Sequence, residues 1–486
     1  MAQTSVITQL EAALGRDSVL SSASELTVYE YDGSDEVLAG SHRPDVVVLP
    51  QSAQQVQQAV KIARAAGMPV TARGGGTGLA GGAIAVQGGV LISLTKMDRI
   101  LEINKRDRYA LVEPGVINLD LSQTASRDGY FFAPDPSSQR ACTIGGNVAN
   151  NSGGPHCLKY GVTVNHILGL EVVLPDGELL WVGGPSPDVP GVDLTGILVG
   201  SEGTLGIVTK AMVRLTRSPE ATDVLLAAFP SIEAASSAVS AIIAAGVLPT
   251  ALEMMDALTI TAVESAYHAG YPRDAAAVLL IEIDGLSEVV AENTRLITDI
   301  CRQQESTEVR VASTQEERDL LWLGRKAALG AMGRLAPNYY LQDTVVPRTK
   351  LPVTLQRVEE ISKDYKLPVA NVFHAGDGNL HPLILFDRYK PGDIERVLHA
   401  GTEMIHWCIE VGGAVSGEHG IGLEKKDFLP LVYTTEDLAA MAGLKLSFDP
   451  QQLFNPEKVF PTGFSCGEVS ALRQQALAAR LGIDFV

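Results

Sequence analysis

Residues 73–82 read RGGGTGLAGG, with six glycines in ten positions behind a single arginine. Because glycine has no Cβ, such a run can adopt positive φ angles and bring backbone N–H groups close to a ligand. We refer to it as the first glycine segment. It predicts a loop that holds a phosphate or a pyrophosphate.

The same residues also fit a competing pattern. Gly76, Gly78 and Gly81 match the G-x-G-x-x-G pattern of a Rossmann dinucleotide site, with Asp98 as the acidic ribose partner. A Rossmann loop opens a helix, whereas residues 82–93 (GAIAVQGGVLIS) contain further glycines and then a β-branched run typical of a strand. The sequence therefore favours a phosphate loop between strands over a Rossmann site or a purely structural glycine loop.

Composition limits the classes of function. A chain of 486 residues allows two or three domains, and its net charge of -19 opposes binding to nucleic acid or anionic membranes. The five cysteines (142, 157, 301, 408 and 466) show no C-x-x-C spacing, which disfavours a disulfide framework, a zinc–thiolate site or an iron–sulfur site. With no leader-like start and no apolar run long enough to span a bilayer, we expect a cytoplasmic protein, at most peripheral to a membrane through partners.

Hydrophobic patterning around the first glycine segment indicates strand, helix, strand and loop. Residues 44–50 (PDVVVLP) predict a buried strand, residues 52–67 a serine-capped helix, and residues 70–72 a second strand. Two more segments rich in glycine and small polar residues follow, at 134–154 (PDPSSQRACTIGGNVANNSGG) and 200–208 (GSEGTLGIV). All three adjoin predicted strands, so we expect them to line one groove.

Together the three glycine segments resemble the FAD domain of the vanillyl-alcohol oxidase type flavoproteins, over roughly residues 41–219. The resemblance implies an α+β fold with a two-subdomain FAD-binding domain at residues 1–218, its core at 41–218. An α+β substrate cap at 219–446 and a segment at 447–486 that returns to the FAD domain complete the expected architecture. Helix-like residues 231–246 and 287–304 around strand-like residues 277–284 agree with an α+β cap.

The resemblance also implies which residues contact FAD. The first segment would grip the pyrophosphate, the other two would line the rest of the cofactor, and residues 448–461 (FDPQQLFNPEKVFP) would return one asparagine to it. The expected contacts are Arg73, Gly74, Gly75, Gly76, Thr77, Gly78, Asp135, Ser138, Thr143, Gly146, Asn147, Ser152, Glu202, Gly203, Ile207 and Asn455. Because the first segment has no histidine and only His156 and Cys157 lie near the others, we expect non-covalent FAD.

A second functional region is predicted in residues 367–386 (LPVANVFHAGDGNLHPLILF), where two apolar runs flank a Gly-Asp-Gly-Asn turn. A turn centred on Asp377-Gly378 would place His374 directly opposite His381, with Cβ atoms about 4.5 to 5.5 Å apart. With Glu418 of residues 416–422 (SGEHGIG), the histidines would form a three-ligand site for zinc or another divalent ion. The alternative is two hairpin histidines that are satisfied by backbone hydrogen bonds.

The stretches HAGDGNLH and SGEHGIG resemble the C-terminal domain of the FAD-linked D-2-hydroxy-acid dehydrogenases, which include D-lactate, D-2-hydroxyglutarate and glycolate enzymes. The resemblance implies that His374, His381 and Glu418 bind a divalent metal, zinc or manganese. It implies His419 as the proton acceptor, with assistance from Asn379. Arg325 matches the arginine that binds the substrate carboxylate, and Lys326 is a second candidate; alternatively, these basic residues only form a solvated helix face.

Residues 335–347 (LAPNYYLQDTVVP) most resemble the glycolate-oxidising branch. The D-2-hydroxyglutarate enzymes carry a lysine shortly before the aspartate that matches Asp343, whereas this chain has Leu341-Gln342 there. We therefore expect a small substrate, glycolate before D-lactate.

Electrons must then leave the flavin, either to a quinone or to partners. The resemblance implies a second flavoprotein-like subunit and an iron–sulfur subunit. The alternatives are a stand-alone D-lactate or D-2-hydroxyglutarate dehydrogenase, a non-catalytic FAD-binding subunit, and an alkyl-transfer flavoenzyme.

Overall fold

The computed structural model of the chain describes residues 2–34, 40, 42–186 and 190–461, so Cys466 and the end of the expected C-terminal segment lie outside the described residues. The strands, in chain order, are β1 (Val19–Leu20), β2 (Val46–Val48), β3 (Val70–Arg73), β4 (Val90–Ser93), β5 (Ile100–Asn104), β6 (Tyr109–Val112), β7 (Tyr130–Phe131), β8 (Ile167–Val173), β9 (Leu179–Gly183), β10 (Ile207–Arg214), β11 (Thr216–Arg217), β12 (Ala221–Phe229), β13 (Ala251–Asp256), β14 (Ala277–Gly285), β15 (Glu308–Val311), β16 (Asn338–Leu341), β17 (Thr344–Val345), β18 (Val369–His374), β19 (Asn379–Leu380) and β20 (Pro382–Phe386). The α-helices are α1 (Ala2–Leu14), α2 (Ala23–Leu26), α3 (Ala53–Ala65), α4 (Asn118–Ser126), α5 (Ile144–Asn150), α6 (Cys157–Tyr160), α7 (Leu194–Leu198), α8 (Ile232–Ala244), α9 (Ala257–Ala266), α10 (Ser287–Gln303), α11 (Gln315–Lys326), α12 (Ala328–Ala331), α13 (Leu351–Tyr365), α14 (Asp393–Glu410) and α15 (Thr435–Phe448).

Contacts divide the chain into two compact units. As far as its residues are described, the first unit comprises Met1–Ser152, Val162–Arg217 and Glu418–Val486, and the second comprises Gly153–Gly161 and Ser218–Gly417. The chain returns to the first unit at Glu418, whereas the sequence predicts the return at residue 447. Between residues 418 and 434 only Leu429 is a buried apolar side chain, so hydrophobic patterning gives no signal for the earlier return.

The first unit contains a four-stranded sheet in the order β1-β2-β4-β3, in which β2 and β3 both run parallel to β4. The sheet packs against the buried stripe of α3, formed by Val56, Ala59, Val60 and Ala63. Ser52 caps α3 by accepting a hydrogen bond from Gln55 N. The first glycine segment leaves β3, and the chain continues to β4 without an intervening α-helix, as expected for a loop between strands.

A five-stranded antiparallel sheet, in the order β5-β6-β10-β8-β9, completes the larger strand framework of the first unit. Its core joins Val112 and Leu170 of the sheet to Leu121 of α4 and to Ile144 and Val148 of α5. Helix α5 lies inside the second glycine segment, so this polar stretch is ordered around a short buried helix face.

The second unit is built on a sheet in the order β15-β12-β14-β13-β18-β19-β17, with β20 paired to β18 and β16 paired to β20. Along β12, Leu225 and Phe229 face one hydrophobic core, while Val224 and Leu226 face another. Helices α8, α10 and α13 cover the first face, and α9, α11 and α12 cover the second. Burial of both faces explains why these strands are continuous apolar runs rather than alternating ones.

The molecule thus has the mixed helix and sheet content of an α+β protein, as the sequence predicts. Among the described residues, no helix combines the length and the apolar character needed to cross a membrane.

Candidate active site

The first and second glycine segments meet in the first unit. A side chain at Gly74 would collide with Thr143 Oγ1, and one at Gly75 would collide with the carbonyl oxygen of Ala141. Gly76 has a φ of 68°, a conformation that side chains disfavour. The backbone of the two segments can approach only because these positions lack Cβ atoms, which fits a loop whose N–H groups hold a phosphate.

Arg73 is held within the first unit by its surroundings. Its Nη1 donates a hydrogen bond of 2.7 Å to the carbonyl oxygen of Tyr31, and its guanidinium lies 5.7 Å from the centre of the Tyr29 ring. Burial lowers the pKa of Arg73, although nearby Asp32 opposes this effect. Arg73 therefore stands at the start of the loop with its guanidinium on Tyr31 and Tyr29, and its role as a cation that grips phosphate stays a prediction.

The second glycine segment places three of its predicted FAD residues, Thr143, Gly146 and Asn147, at the start of α5. Thr143 caps this helix by accepting a hydrogen bond of 3.3 Å from Gly146 N, and Asn147 is buried one turn later. Ser152 O accepts bonds from both Thr163 N and Thr163 Oγ1, which fixes the end of the segment. Burial raises the pKa of the Cys142 thiol to about 11, so this cysteine stays protonated at neutral pH.

Glu202 of the third glycine segment contacts another stretch of the first unit, the backbone of Ile421 and Gly422. Its Oε1 accepts a hydrogen bond of 2.7 Å from Ile421 N, and its Oε2 accepts one of 2.8 Å from Gly422 N. Burial raises the pKa of Glu202, and the two amide bonds oppose that rise. Both carboxylate oxygens thus bind backbone amides two and three residues after His419.

Two asparagines extend this network. Asn455 Nδ2 donates to the carbonyl oxygens of Gly82 and Glu202, at 2.9 and 2.6 Å. Asn150 Nδ2 donates to the carbonyl oxygen of His419 at 3.0 Å. The structure therefore brings Glu202 and Asn455 together with the first glycine segment and with the stretch that carries His419, all within the first unit.

In the second unit the hairpin forms, but the predicted pairing of its histidines is wrong. His374 pairs with Asn379, because the four residues 375–378 form the connection instead of the two-residue turn assumed from the sequence. His381 is two positions further along and therefore on the same face. The two imidazole rings still meet, with centroids 5.1 Å apart and nearly perpendicular planes.

On its other side β18 pairs with β13, and there His374 stands directly opposite Glu253. Glu253 is fully buried, and its Oε1 lies 2.7 Å from His374 Nδ1. Its Oε2 accepts a hydrogen bond from Arg325 Nε at 2.7 Å and forms an ion pair with Arg325 Nη2 at 2.6 Å. Burial acts to raise the pKa of Glu253, but Arg325 and then His374 outweigh it, so that its pKa lies below the ordinary value.

Asp343 approaches His381 in a similar way. Its Oδ1 lies 3.4 Å from His381 Nε2, while its Oδ2 accepts hydrogen bonds from Ser416 Oγ at 2.7 Å and Gly417 N at 2.9 Å. Asp343 is fully buried. This aspartate fixes the peptide that leads directly into Glu418, the next residue in the chain.

Sequence patterning did not identify Glu253 or Asp343 as site residues. Glu253 lies in the strand ALEMMD, where a carboxylate within an apolar run is the available signal for a buried, paired charge. Each of the two residues contacts a predicted metal-binding histidine. Carboxylates bound to histidine nitrogens are typical of metal sites, where they orient the ligands.

The two basic candidates on α11 differ in their surroundings. Arg325 is only 4% exposed and binds Glu253, whereas Lys326 is exposed and lies 5.5 Å from the centre of the Trp322 ring. Trp322 in turn donates to Glu282 at 2.6 Å, and the same carboxylate lies 3.1 Å from His156 Nε2. Arg325 thus lies beside the histidine pair, while Lys326 lies with Trp322.

The donor set in the second unit fits a divalent metal, since two buried imidazoles stand together with carboxylate oxygens nearby. His374 Nδ1 is occupied by Glu253, so Nε2 is the nitrogen that His374 would offer. Glu418 and His419 belong to the first unit, and their roles as third ligand and proton acceptor stay predictions.

Comparison with known proteins identifies the families to which the two halves of the chain are similar. Residues 44–183 match the FAD binding domain family, and residues 218–459 match the FAD linked oxidases, C-terminal domain. The chain is 45% identical to the glycolate oxidase subunit GlcD of Escherichia coli, over 97% of this chain and 94% of that protein. It is 35% identical to the probable mitochondrial D-lactate dehydrogenase of Danio rerio, over 89% of this chain and 87% of that protein.

Among solved structures, p-cresol methylhydroxylase with its substrate bound is similar, with a TM-score of 0.80 and 20% identity over 96% of this chain and 98% of that one. At this level of identity the similarity shows a shared fold alone. The fold is that of the two-domain FAD-binding proteins, as the sequence predicts.

Proposed function

Because this chain belongs to the family of FAD-linked oxidases and is a FAD-dependent oxidoreductase, we propose that it oxidises a small D-2-hydroxy acid to the 2-oxo acid. The observation that carries the proposal is the buried pair of His374 and His381, with Glu253 bound to His374 and to Arg325. A subunit that only stored FAD would have no use for such a polar cluster in the core of its second unit.

FAD fits the first unit, since the first and second glycine segments pack together there at positions where a Cβ would collide, as expected for backbone loops that hold a phosphate. We propose that residues 73–78 hold the pyrophosphate and that the second and third glycine segments, with Asn455, line the rest. Non-covalent binding is supported by His156, whose Nε2 lies beside Glu282. When bound, FAD supplies the acceptor for the hydride that leaves Cα of the substrate.

A divalent ion such as Zn²⁺ or Mn²⁺, held by His374, His381 and Glu418, would supply a Lewis acid for the substrate's hydroxyl and carboxylate oxygens. The remaining roles fall to the chain's own side chains. Arg325 faces Glu253 with Nε, which donates a hydrogen bond, and with Nη2, which forms an ion pair, so its remaining N–H groups would bind a substrate carboxylate. Asn379, on the same face as His374, would orient the substrate, and Lys326 stays a weaker candidate for the carboxylate.

His419 is the proposed acceptor of the hydroxyl proton. A neutral imidazole has a pKa near ambient pH, which suits a general base. Loss of that proton to His419 and of the hydride to FAD accounts for both hydrogens removed when the alcohol becomes a carbonyl. Asn150 donates to the carbonyl oxygen of this residue, and Glu202 binds the amides of Ile421 and Gly422 that follow it.

Glycolate is the favoured substrate, followed by D-lactate. The relative named as a glycolate oxidase subunit is 45% identical to this chain, and the one named as a D-lactate dehydrogenase is 35% identical. We further propose that reduced FAD passes its electrons to a quinone or to partner subunits, one flavoprotein-like and one with iron–sulfur centres. The four cysteines of the described residues form no disulfide with one another and are dispersed over both units, which supports a relay outside this chain.

The test is anaerobic bleaching of the bound flavin by glycolate, D-lactate, L-lactate and D-2-hydroxyglutarate, with and without a chelator. We expect glycolate and then D-lactate to bleach the flavin, L-lactate to be ineffective, and the chelator to slow the reaction. His374→Ala should lose bleaching while dithionite still reduces its flavin. Suppose that dithionite reduces the flavin of a metal-replete sample, but neither glycolate nor any of the D-acids bleaches it. The chain is then a non-catalytic FAD subunit instead.

A further inference from the structure

We infer that Glu253 is a positioning residue that couples the metal-binding histidine to the substrate-binding arginine. This inference rests on the proposed function, because it assigns a role toward the metal and substrate named there. Neither the sequence motifs nor the comparisons with known proteins point to Glu253. The contacts of the second unit do.

The register of the sheet fixes the first contact. Glu253 on β13 is the direct cross-strand partner of His374 on β18, so both side chains project from the same face. Glu253 Oε1 lies 2.7 Å from His374 Nδ1, and an ionised carboxylate can only accept, so Nδ1 carries the proton. The lone pair of His374 is then on Nε2, as a metal ligand requires.

The second contact uses the other oxygen of the same carboxylate. Arg325 Nε donates to Glu253 Oε2 and Nη2 forms an ion pair with the same oxygen, so one edge of the planar guanidinium faces this carboxylate. Arg325 and Glu253 are 4% and 0% exposed, so water does not compete for these bonds. The guanidinium is held in one orientation, with its remaining terminal N–H groups free to point to a carboxylate.

One rigid carboxylate thus sets the direction of two groups that are proposed to bind the same substrate, one through a metal and one directly. Weakening it should reduce both zinc affinity and substrate affinity. A merely structural role would instead lower stability and leave these two constants unchanged in the protein that remains folded.

The test compares Glu253→Gln with Asp256→Asn in the full-length, FAD-loaded protein. Asp256 is a matched control, because it is a buried carboxylate on the same strand whose hydrogen bonds go to Thr259 and Asn371. Zinc dissociation constants are measured by competition with a chelator, and KM and kcat with glycolate. For Glu253→Gln we expect zinc affinity to fall roughly 10- to 100-fold, as for other residues that orient metal ligands, and KM to rise. Asp256→Asn should leave both constants near the wild-type values.

If Glu253→Gln does not fold, Arg325→Lys tests the same inference. Lysine keeps the buried positive charge but lacks the fork that holds Glu253 in place. We expect zinc affinity to fall in this variant although position 325 provides no metal ligand. If the wild type binds zinc and zinc affinity is unchanged in both variants, or in whichever of them folds, the proposed role of Glu253 is overturned. A wild type that binds zinc no better than His374→Ala would instead overturn the proposed metal site.

Discussion

Gly417 shows how one missing methyl group shapes the second unit. Its N–H donates to Asp343 Oδ2 at 2.9 Å, and a Cβ at this position would overlap the side-chain amide of Asn379. Asn379 is itself 6% exposed, and its Oδ1 has no hydrogen-bond partner among the described residues. Such a buried acceptor is satisfied if a bound substrate donates to it.

Gly417→Ala should therefore disturb the geometry of the candidate active site more than it lowers the stability of the fold. The added methyl group must displace the Asn379 amide or the peptide that precedes Glu418, and a displacement of about 1 Å at a reacting group can cost roughly 100-fold in rate. We expect flavin reduction by glycolate to slow by about that factor while FAD content stays unchanged, measured by anaerobic stopped-flow. Gly333→Ala is the control, because its Cβ would meet no atom within 4 Å. Wild-type reduction rates in Gly417→Ala would contradict this account of the glycine.

Local patterns in the sequence predicted the elements well. The helix expected at residues 52–67 spans Ala53–Ala65 with the predicted serine cap, and the one expected at 231–246 spans Ile232–Ala244, where Ser231 is the cap. In both cases a serine, an apolar stripe and a glycine stop are signals contained within the element itself. Predictions of this kind needed no knowledge of the remainder of the chain.

Pairing between elements was harder to predict. The strands of the His374 hairpin and their common face were predicted correctly, but the turn length, and so the register, was not. Because the error is two residues, each histidine kept its face and the pair survived. Glu253 was missed because β13 and β18 are far apart in sequence, and no local signal specifies a long-range strand pair.

Glu202, in the third glycine segment, has two competing interpretations. The resemblance to flavoproteins makes it a FAD contact, whereas the structure directs both of its oxygens to the backbone after His419. In Glu202→Gln an N–H₂ group would replace one acceptor and face an amide donor, which costs about 1 to 3 kcal/mol for the unsatisfied group. A positioning role would leave FAD bound and slow its reduction roughly 10- to 100-fold.

Fluorescence titration of FAD and stopped-flow reduction distinguish the two roles of Glu202. Glu113→Gln serves as control, since Glu113 is a buried carboxylate of the same unit that binds Arg99. Loss of FAD affinity in Glu202→Gln, without slower reduction of the FAD that remains bound, would favour the direct contact. Slower reduction at full FAD occupancy would establish that Glu202 acts through the stretch that carries His419.

At the scale of the whole molecule, the first unit is assembled from three separate stretches of chain. In its four-stranded sheet β3 is an edge strand, and the C-terminal stretch covers that edge: Val70 N donates to Leu453 O, and Asn455 N donates to Val70 O, both at 2.8 Å. Phe454, between them, is 1% exposed and belongs to the core of this sheet. The FAD-binding unit is therefore complete only after the chain has passed through the second unit.

A chain that ends at Gly417 should consequently fail to bind FAD. It would expose the edge of β3 and lose Phe454 from the core, and deletion of a buried phenylalanine side chain alone costs about 3 to 5 kcal/mol. We expect residues 1–417 to be recovered as aggregated or flavin-free protein, measured by size-exclusion chromatography with detection at the flavin wavelength. Co-expression of residues 418–486 as a separate chain should restore a soluble flavoprotein, because the missing strand contacts are non-covalent. If residues 1–417 alone carried stoichiometric FAD, the C-terminal stretch would be dispensable for FAD binding. Its contacts with Val70 would then not be needed to form the FAD-binding unit.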